Sequence, residues 1–312
     1  MVSPNGGFRV IPSTTVGGMA TRVCVVGSVN MDTTFAVRAL PRPGETVLAS
    51  SLTHGPGGKG GNQAVAAARA GARVQFVGAV GDDAAGERLR AHLGANGVGL
   101  DGTVVLSGTS GAAMVVVDAR GENIIVVAPG ANERLGVDSA HAREAIGACE
   151  VLLTQLEIPV TTAVAAARVA RSAGAVVVVN ASPAGQDPRS LAELATAADV
   201  VIANEAEAGE WPWRPSHFVV TLGARGARYI GLDGELTVPA PAVEPVDTTG
   251  AGDVFAGVLA ASWPANPGTP VGRRAALHRA CAAGALATSV PGAGDCAPSA
   301  QAIDATLRDG FS

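Results

Sequence analysis

Three short β-branched runs decide the fold: Val151-Leu152-Leu153-Thr154-Gln155, Ala175-Val176-Val177-Val178-Val179-Asn180 and Val200-Val201-Ile202-Ala203. Ala-rich stretches of helical length separate them, at 161–173 and 190–197. Unbroken apolar strands must be buried on both faces, and parallel neighbours need a crossover element between them. Strand, helix, strand, helix, strand therefore predicts a mostly parallel sheet covered by helices on both sides. The rhythm continues outward, with strands expected at 23–27, 74–80 and 218–222 and helices at 63–70, 84–93, 253–261 and 273–289. Two stretches break it. Residues 33–54, and 103–127 with a strand at 113–117 and turns at Gly108, Gly111 and Gly121, read as hairpin-like strands without helices between them. They predict a small sheet apart from the α/β body, placed to cover a site. The run Trp211-Pro212-Trp213-Arg214-Pro215 leaves no room for a helix between Glu210 and the next strand.

Composition excludes several classes. A net charge of −5 with scattered arginines lacks the basic footprint that nucleic-acid binding needs. With 47% hydrophobic residues in 312, the chain can bury a large core, which excludes general disorder. Its apolar runs fall far short of the roughly 18–20 residues of a membrane span. Cys24, Cys149, Cys281 and Cys296 are far apart, as are the five histidines, which suggests core or surface filler and a reduced, cytoplasmic setting. Residues 1–20, rich in Ser, Thr, Gly and Pro, read as a flexible tail ahead of a single domain at 21–312, and Met19 is an alternative start to Met1. Lys59 is the single lysine among 22 basic residues.

Four segments could carry chemistry. In Gly55-Pro56-Gly57-Gly58-Lys59-Gly60-Gly61-Asn62-Gln63 the glycines permit close approach to a ligand, and the loop delivers Lys59 and Asn62 beside a helix start; the plain alternative is a surface turn. It is not a Walker loop, because Gly follows Lys59. Val246-Asp247-Thr248-Thr249-Gly250-Ala251-Gly252-Asp253 places small residues before an apolar helix, a candidate anion cradle. There Asp253 either caps the helix or accepts a proton from an attacking hydroxyl. Asn30 and Asp32 follow the first strand, where an acceptor and an amide suit neutral polyhydroxyl groups or, equally, an Asx turn. The Asn204 to Glu207 spacing suits a hydrated Mg²⁺ near phosphates, or a capping box.

In this order the segments closely resemble the ribokinase branch of the PfkB carbohydrate kinases. The likeness rests on Gly57-Gly58-Lys59-Gly60-Gly61-Asn62-Gln63-Ala64 and Asp247-Thr248-Thr249-Gly250-Ala251-Gly252-Asp253. Leu40-Pro41-Arg42-Pro43-Gly44-Glu45-Thr46, Gly81-Asp82-Asp83 and Asn204-Glu205-Ala206-Glu207 add to it. It implies a three-layer α/β/α domain with a β lid from roughly 33–55 and 103–128. It also implies transfer of phosphate from ATP to D-ribose at O5. Asn30, Asp32, Gly58, Lys59, Asn62 and Glu157 would then hold the sugar. Asp253 would be the base, with the N–H groups of Gly250, Ala251 and Gly252 on the transferring phosphoryl group. Asn204, Thr221, Gly223, Arg225, Gly226, Gly252 and Cys281 would face ATP, with Asn204 and Glu207 also on the Mg²⁺ side. Asp247, Thr249, Ala287, Val290, Gly292 and Ser299 would hold an activating K⁺. The lid would form a homodimer interface.

The chain departs from the family pattern in its short 211–217 segment, in Cys281 where a polar residue is expected, and in an apparent insertion, Gly294-Asp295-Cys296. Alternative readings are a related kinase of deoxyribose, a ketohexose or a nucleoside, and a catalytically silent sugar-binding regulator. Retention of Asp253 and the Gly-Ala-Gly cradle argues against the last.

Overall fold

A computed structural model describes residues 20–264 and 269–309. Both candidate starts, and the expected tail up to residue 19, lie outside the described residues. In chain order the elements are β1 (Arg22–Val26), β2 (Asn30–Ala36), β3 (Ser51–Gly57), α1 (Lys59–Arg69), β4 (Arg73–Val77), β5 (Ala79–Gly81), α2 (Ala84–Ala95), β6 (Val104–Leu106), β7 (Gly111–Val117) and β8 (Asn123–Ala128). There follow α3 (Ala140–Gly147), β9 (Val151–Thr154), α4 (Val160–Ser172), β10 (Val176–Asn180), α5 (Pro188–Ala197), β11 (Val200–Asn204), α6 (Glu205–Glu210), β12 (His217–Thr221), β13 (Ala227–Gly231), β14 (Gly234–Val238), α7 (Ala251–Ser262), α8 (Pro270–Ala287) and α9 (Ala300–Asp309).

The main sheet runs β14-β13-β12-β11-β10-β9-β1-β4, parallel from β4 to β12 and closed at its other edge by an antiparallel hairpin. Alternation along each strand builds two cores. Val23, Val25, Val151, Leu153, Val176, Val178, Val200 and Ile202 face one way, onto α1, α2, α7, α8 and α9. Cys24, Val26, Leu152, Val177, Val179, Val201 and Ala203 face the other way, onto α3, α4 and α5. These strands are apolar at every position because neither face meets water, at ~25 cal/mol per Å² of apolar surface removed from it.

The second sheet has the order β3-β2-β7-β8, with β2 and β7 parallel and each paired to an antiparallel hairpin partner. It departs from the expected 33–55 and 103–128 in two ways. Its first strand begins at Asn30, so Asn30 and Asp32 belong to this sheet rather than to the end of β1. Residues 104–106 pair instead with β5 in a separate two-stranded sheet. The expected strand at 74–80 divides at Gly78, where a Cβ would collide with the Phe76 ring, and only its first half joins the main sheet. Apolar side chains on the small sheet stand in the open, among them Leu52, Met114, Ile124, Ile125, Val126 and Val127.

Helix α1 starts at Lys59, one turn before the expected 63. Gly60 and Gly61 are poor helix formers, yet the position demands them: a Cβ at Gly60 would lie 2.7 Å from the Ser28 carbonyl oxygen. The first-turn N–H groups find partners outside the helix, Lys59 on Glu157 Oε2 at 3.1 Å and Gly61 on the Ser28 carbonyl at 2.8 Å. A carboxylate at a helix N-terminus is also favoured by the helix dipole.

Candidate active site

Lys59, Asn62 and Gln63 share the first turn of α1, and Asp253 lies in the first turn of α7. The two helices pack closely enough that a Cβ at Gly257 would collide with the Gln63 carbonyl. This brings Asn62 Nδ2 within 3.0 Å of Asp253 Oδ2, and Gln63 Nε2 within 3.0 Å of Asp253 Oδ1. Asp253 thus accepts from two amides. Asn204, by contrast, is a plain N-cap: its Oδ1 accepts from Glu207 N–H at 2.9 Å and Glu207 Oε2 accepts from Asn204 N–H at 2.8 Å.

Burial pushes the Asp253 carboxyl above its ordinary range, and nearby Glu157 adds to this, while Lys59, Asn62 and Gln63 oppose it. Burial alone would lower the Lys59 ammonium; the charges of Asp253, Glu157 and Glu207 outweigh it and hold the group above its usual value. Asp32 is raised to about 7, first by burial and then by Glu157 and Asp253, and its Oδ1 is buried without a hydrogen-bond partner among the described residues. One ammonium among three carboxylates can orient a polyhydroxyl ligand and keep one carboxylate ionised as a proton acceptor.

Glu157 is anchored by Ser28 Oγ at 2.6 Å as well as by Lys59 N–H. Gly57 and Gly58 seat the loop against β2: a Cβ at Gly57 would collide with the Asp32 carboxylate, and at Gly58, φ +83°, one would lie 2.7 Å from Asn30 N. The structure therefore gathers Asn30, Asp32, Gly58, Lys59, Asn62, Glu157 and Asp253 at one place. The sequence reading missed the residues behind them. Asn132 holds Asn30, and Gln155 and Asn180 hold Gln63. Gln155 and Asn180 sit at the carboxyl ends of β9 and β10, which is the one signal that could have found them; Asn132 lies in a short 3-10 helix, Gly130–Arg134, and carries none.

On the anion side Gly250 caps α7 in the left-handed region, φ +80°, pressed against Ala293. The space where a Gly252 Cβ would stand is open. Ala251 N–H turns back to the Thr248 carbonyl at 3.3 Å. Asp247 accepts from Thr249 N–H and Gly292 N–H, both at 2.9 Å. Burial would raise its carboxyl, but these donors hold it below the usual range. An anionic carboxylate with lone pairs to spare, on a loop tied to the end of α8 by Asp247 N–H on the Thr288 carbonyl at 3.0 Å, fits a hard monovalent cation. Ser299 starts α9 instead, its Oγ accepting from Ala302 N–H at 3.3 Å. Glu207, buried, has one carboxylate oxygen in the cap and a second left over, which fits a Mg²⁺ held through water.

Thr221 ends β12, and Gly223 and Arg225 form a short 3-10 turn closed by Gly226, φ +94°. Arg225 is exposed and donates to both carboxylate oxygens of Glu205 at 2.7 Å. Cys281 is 3% exposed, its thiol turned to the Val238 carbonyl within the core, so any part it plays at a nucleotide runs through packing.

The chain resembles proteins of known activity along most of its length. A ribokinase of Bacillus subtilis (strain 168) is 38% identical over 244 residues, which are 75% of this chain and 82% of that protein. A deoxyribokinase of Salmonella typhi is 32% identical over 263 residues, 76% of this chain and 84% of that protein. The solved structure of Arabidopsis thaliana ribokinase complexed with ribose and ATP superposes with a TM-score of 0.82 at 29% identity, covering 93% of this chain and 99% of that one. The family model for pfkB family carbohydrate kinases matches residues 20–300, and the chain belongs to that family.

Proposed function

We propose that this chain transfers the γ-phosphoryl group of ATP to O5 of D-ribose, with Asp253 as general base. The observation that carries the reading is the Asp253 carboxylate, held by Asn62 and Gln63 of α1 and next in the chain to Gly252, where the space is open. Asn30, Asp32, Gly58, Lys59, Asn62 and Glu157 bind the sugar hydroxyls. Asp253 takes the proton of the attacking hydroxyl as the oxygen closes on phosphorus, and the N–H groups of Gly250 and Gly252, with that of Ala251 once it leaves the Thr248 carbonyl, receive charge from the transferring group. Thr221, Gly223, Arg225 and Gly226 line the nucleotide end, with Asn204 and the core packing of Cys281 behind them.

Asn204 and Glu207 hold the Mg²⁺ side, where the ion when bound neutralises phosphate charge. Asp247 and Thr249, with Ala287 at the end of α8 and Val290 and Gly292 after it, hold an activating K⁺. The small sheet closes over the sugar as a lid and excludes water, which would otherwise compete for the phosphoryl group. Its open apolar strands support a homodimer formed lid to lid, since such surface needs cover. Among the described residues no helix is long and apolar enough to cross a membrane; a cytoplasmic setting remains part of the proposal.

The Salmonella relative favours deoxyribose as the second substrate to consider. A coupled ADP-release assay with ribose, deoxyribose, fructose and adenosine, with and without K⁺, tests the assignment. Ribose should give the highest kcat/KM and K⁺ should raise it; preference for another acceptor would overturn the assignment.

A further inference from the structure

We propose that Gln63 is a positioning residue for catalysis: its buried amide fixes the Asp253 carboxylate so that Oδ1 is held and Oδ2 takes the proton. The inference rests on Asp253 being the base. Gln63 is fully buried, out of reach of any substrate. Both protons of its Nε2 are committed, one to Asp253 Oδ1 and one to Asn180 Oδ1, each at 3.0 Å. Its Oε1 accepts from Gln155 Nε2 at 2.9 Å. Asn180 is oriented in turn by donating to the Ile202 carbonyl at 3.3 Å. Gln155 packs against Gly27, where a Cβ would collide with its amide, and its Oε1 has no hydrogen-bond partner among the described residues.

Amide polarity gives the chain a direction. Reversing Gln63 would set its carbonyl against the Asp253 carboxylate and the Asn180 oxygen, and its NH₂ against the NH₂ of Gln155, so three attractive contacts would become repulsive. The amide therefore has one orientation, a donor aimed at Asp253. The other carboxylate oxygen, Oδ2, is held by Asn62, which lies on the sugar side and can exchange its bond for the substrate's. As the sugar O–H bond breaks, the proton goes to Oδ2, the alkoxide oxygen bonds to the γ-phosphorus and ADP departs with the bridging oxygen. The charged groups facing Asp253 are Lys59 from α1, Glu157 after β9 and Asp32 from β2, with the Cys296 thiol beyond. Against two anions and one cation, a fixed neutral donor keeps the carboxylate available without adding charge.

The test compares Gln63→Glu, Gln63→Leu, Gln155→Leu and Asp253→Asn with wild type for kcat, sugar KM and the pH dependence of kcat/KM, with thermal melts to verify folding. Gln63→Glu keeps the shape but replaces the donor facing Asp253. Its kcat should fall at least about tenfold, with sugar KM within about threefold and the acid limb moved up by about one pH unit. Gln63→Leu should lose about as much kcat. Gln155→Leu, which releases the amide to turn, should lose about fivefold and carries the test if either Gln63 variant fails to fold. A folded Gln63→Glu variant with wild-type kcat and pH profile, beside an inactive Asp253→Asn, overturns the role of Gln63 alone. Near-wild-type turnover in Asp253→Asn overturns both the base and this proposal.

Discussion

Asn132 donates from Nδ2 to Asn30 Oδ1 at 2.8 Å, while its own Oδ1 accepts the Val29 N–H at 3.0 Å and Nδ2 also reaches the Val29 carbonyl at 3.1 Å. With its oxygen committed, Asn30 presents its NH₂ to the pocket as a donor. Asn132→Ala should therefore raise the sugar KM about tenfold with little change in kcat, and lower stability by about 2 kcal/mol because buried groups lose partners. Steady-state kinetics and urea melts read both, and an unchanged KM would remove any part for this orientation in sugar binding.

Asp32 sets a pH dependence of stability. Its carboxyl, raised to about 7 by burial and then by Glu157 and Asp253, holds its proton more tightly folded than unfolded. Its stabilising contribution is then complete below the unfolded value of about 3.8 and is lost as pH rises through about 7. Relative to Asp32→Asn, wild type should lose up to ~4 kcal/mol between those limits. Denaturant melts of both at pH 4.5 to 8 would show it; a constant difference would mean that Asp32 ionises normally.

Lys59 is the only lysine in the chain. Its loop is so closely seated on Ser28, Val29 and Asn30 that the flanking positions admit only glycine. Lys59→Ala should raise the sugar KM by about tenfold or more, leaving the ATP KM within about threefold. Lys59→Arg should not restore the affinity, because a planar guanidinium is bulkier than an ammonium and holds a fixed fork. Full ribose affinity in Lys59→Arg would make the lysine a matter of composition.

The strand β8 exposes Ile124 to Val127 in one run, and Val126 is 54% exposed. In a lid-to-lid dimer, Val126→Asp should convert the protein to monomers in sedimentation velocity without lowering the melting temperature of the separated chain, because the side chain is open in one copy. A wild-type monomer at micromolar concentration would overturn the dimer.

Much of this was legible in the chain alone. The periodicity of 151–203 determined the parallel sheet, since a strand buried on both faces must be apolar throughout. The two glycine-rich segments determined where chemistry could sit, since Gly58, Gly60 and Gly250 occupy places that no side chain can enter. The hairpin β13 and β14, and the helices α3 and α9, were not read, because elements of five to ten residues are too short for a period to stand out from the loops around them. Tertiary structure alone decided the rest. Whether Asp253 is a cap or an accepting carboxylate turned on two amides from α1, 191 and 190 positions away. The relay through Gln155, Gln63 and Asn180 exists because the carboxyl ends of β9 and β10 meet the first turn of α1, and hydrogen bonds between distant buried amides leave no local pattern in sequence.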